Sequence, residues 1–157
     1  MAAVKPIPEG HQAVSPYLIV DGGARALDFY KKAFGATELF RMEAPGGKIG
    51  HAEIKIGDSV VMLADESPEQ DFLSPKARGG TSVLLHLYVP NVDNFVAKAI
   101  AAGAELVRPV TDQFYGDRAG GIKDPFGHSW YVATHKEELS PAEIKKRAAE
   151  YMKKSGS

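Results

Sequence analysis

The chain has 157 residues, of which 44% are hydrophobic and 25% are charged, as in a folded globular domain. Its 19 basic and 20 acidic side chains nearly cancel, so it lacks the broad positive field that nucleic acid or an anionic membrane surface requires. It contains no cysteine, which excludes disulfides, cysteine-ligated metals and a thiol nucleophile.

The first half of the chain predicts a strand, a helix and three further strands. Residues 16–20 have the pattern of an apolar strand. Residues 24–34 place apolar side chains at helical spacing, and Gly35 ends the predicted helix. Three strand-like segments follow, at residues 37–42, 48–56 and 59–64.

The second half repeats this order. Residues 85–89 predict a strand, and Asn91 is a suitable N-cap for a helix that Gly103 ends. The strand-like segments that follow are residues 105–110, 115–123 and 129–134. The repeat predicts an α+β fold, in which two βαβββ modules form a curved mixed sheet around a cavity, with an additional C-terminal helix.

Composition and capping signals set the predicted boundaries. Ser140, Pro141 and Glu143 combine a capping box with proline at the first helical position, so a helix is expected to begin there. No apolar run is long enough to span a membrane and no leader-like segment is seen, so we expect a cytoplasmic protein. The predicted parts are an N-terminal extension (1–11), a single domain (12–137) made of module one (12–66), a linker (67–80) and module two (81–137), and a C-terminal helix and tail (138–157).

Several strings along the chain resemble one known family. They are Pro16-Tyr17-Leu18, residues 28–36, Gly50-His51-Ala52-Glu53, residues 86–89, Gly116-Asp117-Arg118 and residues 124–130. In this order and spacing they resemble the vicinal-oxygen-chelate superfamily of glyoxalases, bleomycin resistance proteins and dioxygenases, specifically its PhnB-like branch. The resemblance covers residues 12–140 and implies a cup that binds a small molecule, often completed by a homodimer partner.

The resemblance also implies where a metal would bind. In metal-dependent members, each module supplies one ligand from its first strand and one from its last, usually His, Gln or Glu. The matching positions here are Ser15 and Val61 in module one and Leu84 and Tyr131 in module two. None of them is His, Gln or Glu, and valine and leucine have no donor atom. We therefore expect no cofactor and no metal at the usual positions.

A different set of polar residues supplies the catalytic candidates, namely His51, Glu53 and His86. Strand alternation places His51, Glu53 and Lys55 on one face, and it places His86 and Leu84 together on another strand. If His51, Glu53 and His86 all point inward, they supply a relocated divalent-metal site or a His/Glu acid–base pair. The alternative is a solvated face on which Glu53 pairs with Lys55 or Arg41.

Aromatic and charged residues supply the ligand-binding candidates. Residues 113–118 join two aromatic rings to an acid and a base, which can clamp an aromatic or anionic ligand. The alternative is an internal Asp117–Arg118 bridge, or a bridge from Arg118 to another carboxylate, that fixes the hairpin. Rings such as Trp130 form either a platform for a planar ligand or part of the core. His128 belongs to a predicted turn, and His11 and His135 are assigned no role. The full set of candidates is Tyr17, His86, Tyr88, Tyr115, Asp117, Arg118 and Trp130.

Two functions are consistent with these residues. The favoured hypothesis is a glyoxalase/bleomycin-resistance-like domain that binds a small aromatic or amphipathic molecule without turnover, as a homodimer with no nucleic-acid or membrane partner. The alternative is a lyase, isomerase or oxidoreductase that uses a divalent metal held by His51, Glu53 and His86.

Overall fold

The computed structural model describes residues 3–156, so the ends of the predicted extension and tail (residues 1, 2 and 157) lie outside the described residues. The fold is α+β and contains two four-stranded mixed sheets. Its elements are β1 (Tyr17–Val20), α1 (Gly23–Phe34), β2 (Thr37–Ala44), β3 (Lys48–Ile56), β4 (Ser59–Asp65), α2 (Pro75–Arg78), β5 (Leu84–Tyr88), α3 (Val92–Ala101), β6 (Glu105–Asp112), β7 (Asp117–Lys123), β8 (Ser129–His135) and α4 (Pro141–Lys154), with 3-10 turns at Pro45–Gly47 and Pro68–Gln70.

The predicted duplication is confirmed by strand pairing. The first sheet has the order β1-β4-β3-β2 and the second has the equivalent order β5-β8-β7-β6. In each sheet the first and last strands of the βαβββ repeat pair in parallel, and the remaining neighbours pair in antiparallel fashion. The chain divides into two compact units, one with the residues up to Ser82 and Phe126–His128, the other with Val83–Pro125 and the residues from Ser129 onward.

In the first unit, α1 packs its apolar side on the sheet. Leu27 and Tyr30 of the helix and Ile54 and Leu63 of the sheet are fully buried. The helix begins without a side-chain cap of its own. Instead, the Asp65 carboxylate at the end of β4 accepts hydrogen bonds from the backbone N–H groups of Gly22, Gly23 and Ile49. This carboxylate therefore joins the start of the helix to two strands.

The predicted linker contains more structure than its polar composition suggested. Residues 68–70 form a 3-10 turn, and α2 is a single helical turn capped by Ser74, whose hydroxyl accepts from the Ala77 N–H. Both segments begin with a Ser-Pro pair, the same start signal that correctly predicted α4. The linker prediction missed them because they are too short to show an apolar period.

In the second unit, α3 is capped by Asn91 as predicted, since the Asn91 side chain accepts from the Asn94 N–H. Strand β7 begins at Asp117 instead of residue 115, because Gly116 adopts a left-handed φ of 98° and turns the chain back toward Gln113. Helix α4 contacts this turn, as Arg147 donates to the Phe114 carbonyl and the Tyr151 ring stacks on Phe114 at 5.3 Å. No helix within residues 3–156 is both long and apolar enough to cross a membrane.

Candidate functional site

Strand β3 carries the polar side chains of the first unit on one face. Ala52, Ile54 and Ile56 are buried, whereas His51 and Glu53 are half-buried on the opposite side. This is the alternation predicted for the strand. In the sheet, Glu53 lies opposite Met62 of β4 and Phe40 of β2, so the polar pair sits among apolar neighbours.

Four side chains form a continuous hydrogen-bonded chain, which we call the first-unit network: His11, Tyr17, His51 and Glu53. One Glu53 oxygen lies 2.8 Å from His11 Nε2, and the other lies 2.9 Å from His51 Nε2. The Tyr17 hydroxyl lies 2.8 Å from His51 Nδ1. Glu53 thus pairs with two histidines, not with the basic residues considered as partners from the sequence.

The segment before β1 brings His11 to this network. The Gln12 side-chain amide donates to the Val60 carbonyl at 2.6 Å, and its oxygen lies 3.3 Å from the Val60 N–H. These two bonds hold the segment along β4, and they place His11 beside Glu53. The sequence prediction assigned His11 to an extension outside the domain, because no strand or helix pattern includes it.

Charge pairing changes the pKa values within the first-unit network. The hydrogen bond to Glu53 raises the pKa of His11, with a further contribution from the Glu9 carbonyl. The hydrogen bonds from His51 and His11 outweigh burial and lower the pKa of Glu53. Burial, together with the nearby Glu53 charge, raises the pKa of Tyr17. Glu53 is therefore ionised and Tyr17 is a neutral phenol at neutral pH.

Exposed apolar side chains surround the network. Tyr17 is 42% exposed, Phe40 50% and Met42 52%. The Tyr17 ring centroid lies 5.9 Å from that of Phe72, and the Phe40 ring lies 6.2 Å from the His51 ring. Aromatic rings and a methionine thioether at this spacing offer flat, polarisable contacts to a planar molecule.

The second unit has an aromatic cluster at the equivalent strand positions. The His86 ring lies 4.7 Å from Tyr88 and 5.4 Å from Tyr131, and Tyr88 remains 59% exposed. The Tyr131 and Tyr115 hydroxyls lie 2.7 Å apart. Burial, followed by this hydrogen bond, raises the pKa of Tyr115 far above its ordinary range.

Asp117 is, like Asp124, a buried carboxyl residue of the second unit. One of its oxygens accepts from the Tyr88 hydroxyl at 2.9 Å, and the other lies 2.8 Å from His135 Nδ1. The hydrogen bond to Asp117, followed by the one to Glu138, raises the pKa of His135. The hydrogen bond to Asp117 likewise raises the pKa of Tyr88. His135 was assigned no role from the sequence, because nothing in its local pattern points to Asp117.

Arg118 points away from Asp117 and forms a carboxylate bridge. Its guanidinium donates to both oxygens of Asp93 on α3, at 2.8 and 3.0 Å, and to Asp112 at 3.2 Å. These contacts form the predicted bridge from Arg118 to a carboxylate, with Asp93 and Asp112 as the partners instead of Asp117. The contact raises the pKa of Arg118 and lowers that of Asp93.

Trp130 is buried and His128 lies in a turn, and both side chains form hydrogen bonds within the protein. Trp130 is only 4% exposed, and its indole N–H donates to the buried Asp124 carboxylate at 2.9 Å. Residues 124–128 form the predicted turn, and His128 Nε2 lies 2.9 Å from the Ile19 carbonyl. Of the two roles considered for Trp130, a platform for a ligand or part of the core, its burial agrees with the core.

The three catalytic candidates are divided between the two units. His51 and Glu53 are brought together in the first unit, whereas His86 belongs to the second unit and contacts Tyr88 and Tyr131. Within residues 3–156, no group of three or more His, Asp or Glu side chains has an arrangement that can hold a metal ion. At the positions implied by the family resemblance, Val61 is buried and Leu84 is exposed, and neither side chain has a donor atom.

The chain is built from two βαβββ units, and each unit has a sheet face with aromatic and hydrogen-bonding side chains. This architecture is typical of glyoxalase-type domains. A family model of the Glyoxalase/Bleomycin resistance protein/Dioxygenase superfamily matches residues 11–132. The chain belongs to this superfamily.

Known proteins resemble the chain over most of its length. An uncharacterized protein from Mycobacterium tuberculosis (strain ATCC 25618 / H37Rv) is 44% identical over 135 residues, which cover 84% of this chain and 79% of that protein. The crystal structure of TioX from Micromonospora sp. ML1 is 29% identical, with a TM-score of 0.65, covering 79% of this chain and 98% of TioX. A PhnB protein from Bacillus cereus shares the fold at 14% identity and a TM-score of 0.60, covering 78% and 99% of the two chains.

Proposed function

We propose that the chain binds a small planar aromatic or amphipathic molecule on the exposed face of the first sheet. The observation that carries this proposal is the group of large, half-exposed apolar side chains, Tyr17, Phe40 and Met42, around the first-unit network. Isolated apolar residues on a surface need no explanation, but a contiguous group rimmed by ordered polar residues is typical of a binding surface.

The polar residues complement this apolar surface. A ligand site usually combines apolar walls with a few hydrogen-bonding groups that fix the orientation of the ligand. The Tyr17 hydroxyl and His51 imidazole meet this requirement, because Glu53 holds His51 in one orientation. The aromatic cluster of His86, Tyr88 and Tyr131 offers a second such surface in the other unit.

Binding without a resident metal is the form of this function that we favour. Support comes from the residue types at the implied ligand positions, since Val61 and Leu84 carry no lone pair to donate. Membership of the PhnB-like branch is part of the same proposal, and it rests mainly on the order of the sequence strings that resemble that branch.

General acid–base catalysis is a second candidate function. The direct His51–Glu53 hydrogen bond favours it, because a carboxylate that orients an imidazole is the arrangement used to activate a proton acceptor. Such a reaction would use the first-unit network and would not require His86.

A second copy of the chain is the protein partner that we propose. Support comes from further exposed apolar residues on the strands of both sheets, including Leu39, Leu84 and Leu106. A symmetric dimer would bury such residues of both copies at once. Light scattering at micromolar concentration measures the mass directly, and a monomer would contradict this part of the proposal.

Calorimetric titration with a panel of planar aromatic compounds tests the binding function. We expect Tyr17→Ala and Met42→Ala to weaken binding about tenfold, the effect of losing about 1.4 kcal/mol of contact energy. Met152→Ala is the matched control, because Met152 is a comparably exposed methionine on α4. Equal affinities of Met42→Ala, Met152→Ala and the unaltered chain would contradict a site on this face.

A further inference from the structure

We propose that the first-unit network binds ligands that carry an acidic hydroxyl group, a phenol or an enol, and removes the hydroxyl proton so that the ligand is held as its anion. This inference rests on the proposed binding function, and it assigns the chemical class of the ligand. The network lies within the first unit and is built from His11, Tyr17, His51 and Glu53.

The hydrogen-bonding capacity of the carboxylate fixes the tautomer of His51. An ionised carboxylate only accepts hydrogen bonds, so the nitrogen that faces each Glu53 oxygen must carry its proton. His51 Nε2 therefore donates to Glu53, and in the neutral ring Nδ1 bears the lone pair. The Tyr17 hydroxyl donates to that lone pair across 2.8 Å. Tyr17 thus connects the exposed surface to a base.

His11 balances the charge of Glu53. Its Nε2 faces Glu53, and its Nδ1 lies 3.3 Å from the Glu9 carbonyl, so both ring nitrogens face acceptors. Only the doubly protonated imidazolium donates at both positions. With His11 charged and Glu53 ionised, the network has no net charge while His51 is neutral. Accepting one proton makes it a cation, which is complementary to an anionic ligand.

The proton transfer balances in two linked steps. The ligand hydroxyl gives its proton to the Tyr17 oxygen, and the original Tyr17 proton moves to His51 Nδ1. The ligand O–H and the old Tyr17 O–H bonds break, while a new Tyr17 O–H and an Nδ1–H bond form. Tyr17 remains a neutral phenol, His51 becomes an imidazolium beside Glu53, and the ligand becomes an anion that accepts a hydrogen bond from Tyr17.

The groups around His51 support this direction of transfer. Its titratable neighbours are Tyr17 on β1, Glu53 on β3 and, beyond Glu53, His11 of the preceding segment. Strand β2 contributes Phe40 and Met42, which do not titrate. Because the Tyr17 pKa is raised, Tyr17 passes a proton on instead of retaining a charge. Phe72 and Phe40 provide flat surfaces beside Tyr17 and His51 for the aromatic part of the ligand.

Visible absorption of para-nitrophenol tests the inference, because its anion is yellow and its neutral form is not. The unaltered chain is titrated with para-nitrophenol and, separately, with para-nitroanisole, the methyl ether that has no hydroxyl proton to lose. We expect bound nitrophenol to ionise at a pH lower than free nitrophenol by about one unit, a tenfold change in ionisation constant. His51→Gln and Tyr17→Phe should abolish this shift in the nitrophenol that still binds, because each variant removes one step of the proton transfer. The nitroanisole titration measures any loss of affinity separately.

His135→Gln is the matched control, because it makes the same replacement at a half-exposed histidine outside both proposed binding surfaces and should leave the shift unchanged. Circular dichroism checks that each variant folds. Nitrophenol bound in its neutral form, or a shift retained in both His51→Gln and Tyr17→Phe, would overturn the inference and leave the binding function standing. If neither compound binds to the unaltered chain, both the inference and the proposed binding function are wrong.

Discussion

Asp65 accepts a hydrogen bond from the Gly23 backbone N–H at 2.9 Å, and the two residues are so close that position 23 has no room for a side chain. A Cβ built at Gly23 would lie 2.7 Å from the Asp65 carboxylate and 2.8 Å from the Ile49 side chain. The same carboxylate also receives the N–H groups of Gly22 and Ile49. The start of α1 and the ends of two strands therefore depend on one side chain.

Replacing Asp65 with alanine should destabilise the first unit. Three backbone donors lose their acceptor, and leaving such groups unsatisfied costs about 2–4 kcal/mol in the free energy of unfolding. Urea denaturation measures the loss. Asp58→Ala is the matched control, since Asp58 is exposed and its carboxylate accepts a hydrogen bond from the adjacent Ser59 hydroxyl. Equal midpoints for the two variants would show that the carboxylate does not secure the helix.

Two neighbouring glycines of β7 should respond differently to alanine. A Cβ at Gly120 would lie 2.7 Å from the Val110 side chain and 3.1 Å from the Arg108 carbonyl, whereas one at Gly121 meets nothing closer than 3.4 Å. Overpacking predicts that Gly120→Ala loses about 1–3 kcal/mol of stability. Gly121→Ala should be neutral within about 1 kcal/mol, because the added methyl group fits and the unfolded chain loses freedom. Thermal unfolding of both variants checks the contrast, and a reversed order would contradict the packing described for β6 and β7.

The His11–Glu53 pair should make stability depend on pH in two directions. The pKa of His11 is raised above its ordinary value of 6.5, so its contribution is complete below that value and is lost as the pH rises through the folded-state pKa. The pKa of Glu53 is lowered below 4.5, so its contribution is complete above that value and is lost as the pH falls through the folded-state pKa. The pair therefore contributes most between these two ordinary values.

Denaturation of the unaltered chain and His11→Gln across this pH range measures the effect. The stability difference between them should be largest in the mildly acidic range and should shrink as the pH rises above neutrality. Lys5→Gln is a suitable control, because Lys5 forms an exposed ion pair with Glu9. A difference that stays constant with pH would show that His11 does not titrate against Glu53.

Metal analysis of protein purified without chelator separates the proposed binding function from the metal-dependent alternative. We expect less than one divalent ion per chain, because hydrocarbon side chains occupy two of the implied ligand positions. Elemental mass spectrometry of the unaltered chain and His51→Ala provides the comparison. A stoichiometric ion that is lost in His51→Ala would instead favour a metal centre built on His51 and Glu53.

The repeated βαβββ order could be predicted from the sequence because its signals are local. Asn91 and Ser140 mark helix starts because their side chains cap the first turn, and Gly35 marks a helix end because it adopts a left-handed conformation. The alternation around His51 and Glu53 follows from strand geometry. These features require no knowledge of distant residues. The duplication then implies that the two sheets have equivalent strand orders, as they do.

The partners of the polar residues could not be predicted in the same way. His11 meets Glu53 from a segment without regular structure, and His135 meets Asp117 from the end of another strand. Such contacts depend on how the chain folds back, which residue spacing does not encode. The start of β7 was also misplaced, because a glycine with positive φ interrupts a segment whose composition resembles a strand.

The position of Asp65 also has a consequence for folding. Helix α1 has no cap within its own sequence, and the carboxylate that completes its first turn lies 42 residues beyond Gly23. An isolated α1 would fray at that end, because a short helix with unsatisfied N–H groups is only marginally stable in water. The helix is therefore completed only when the last strand of its repeat has docked, so the βαβββ repeat forms cooperatively instead of assembling from helices and hairpins that are stable alone.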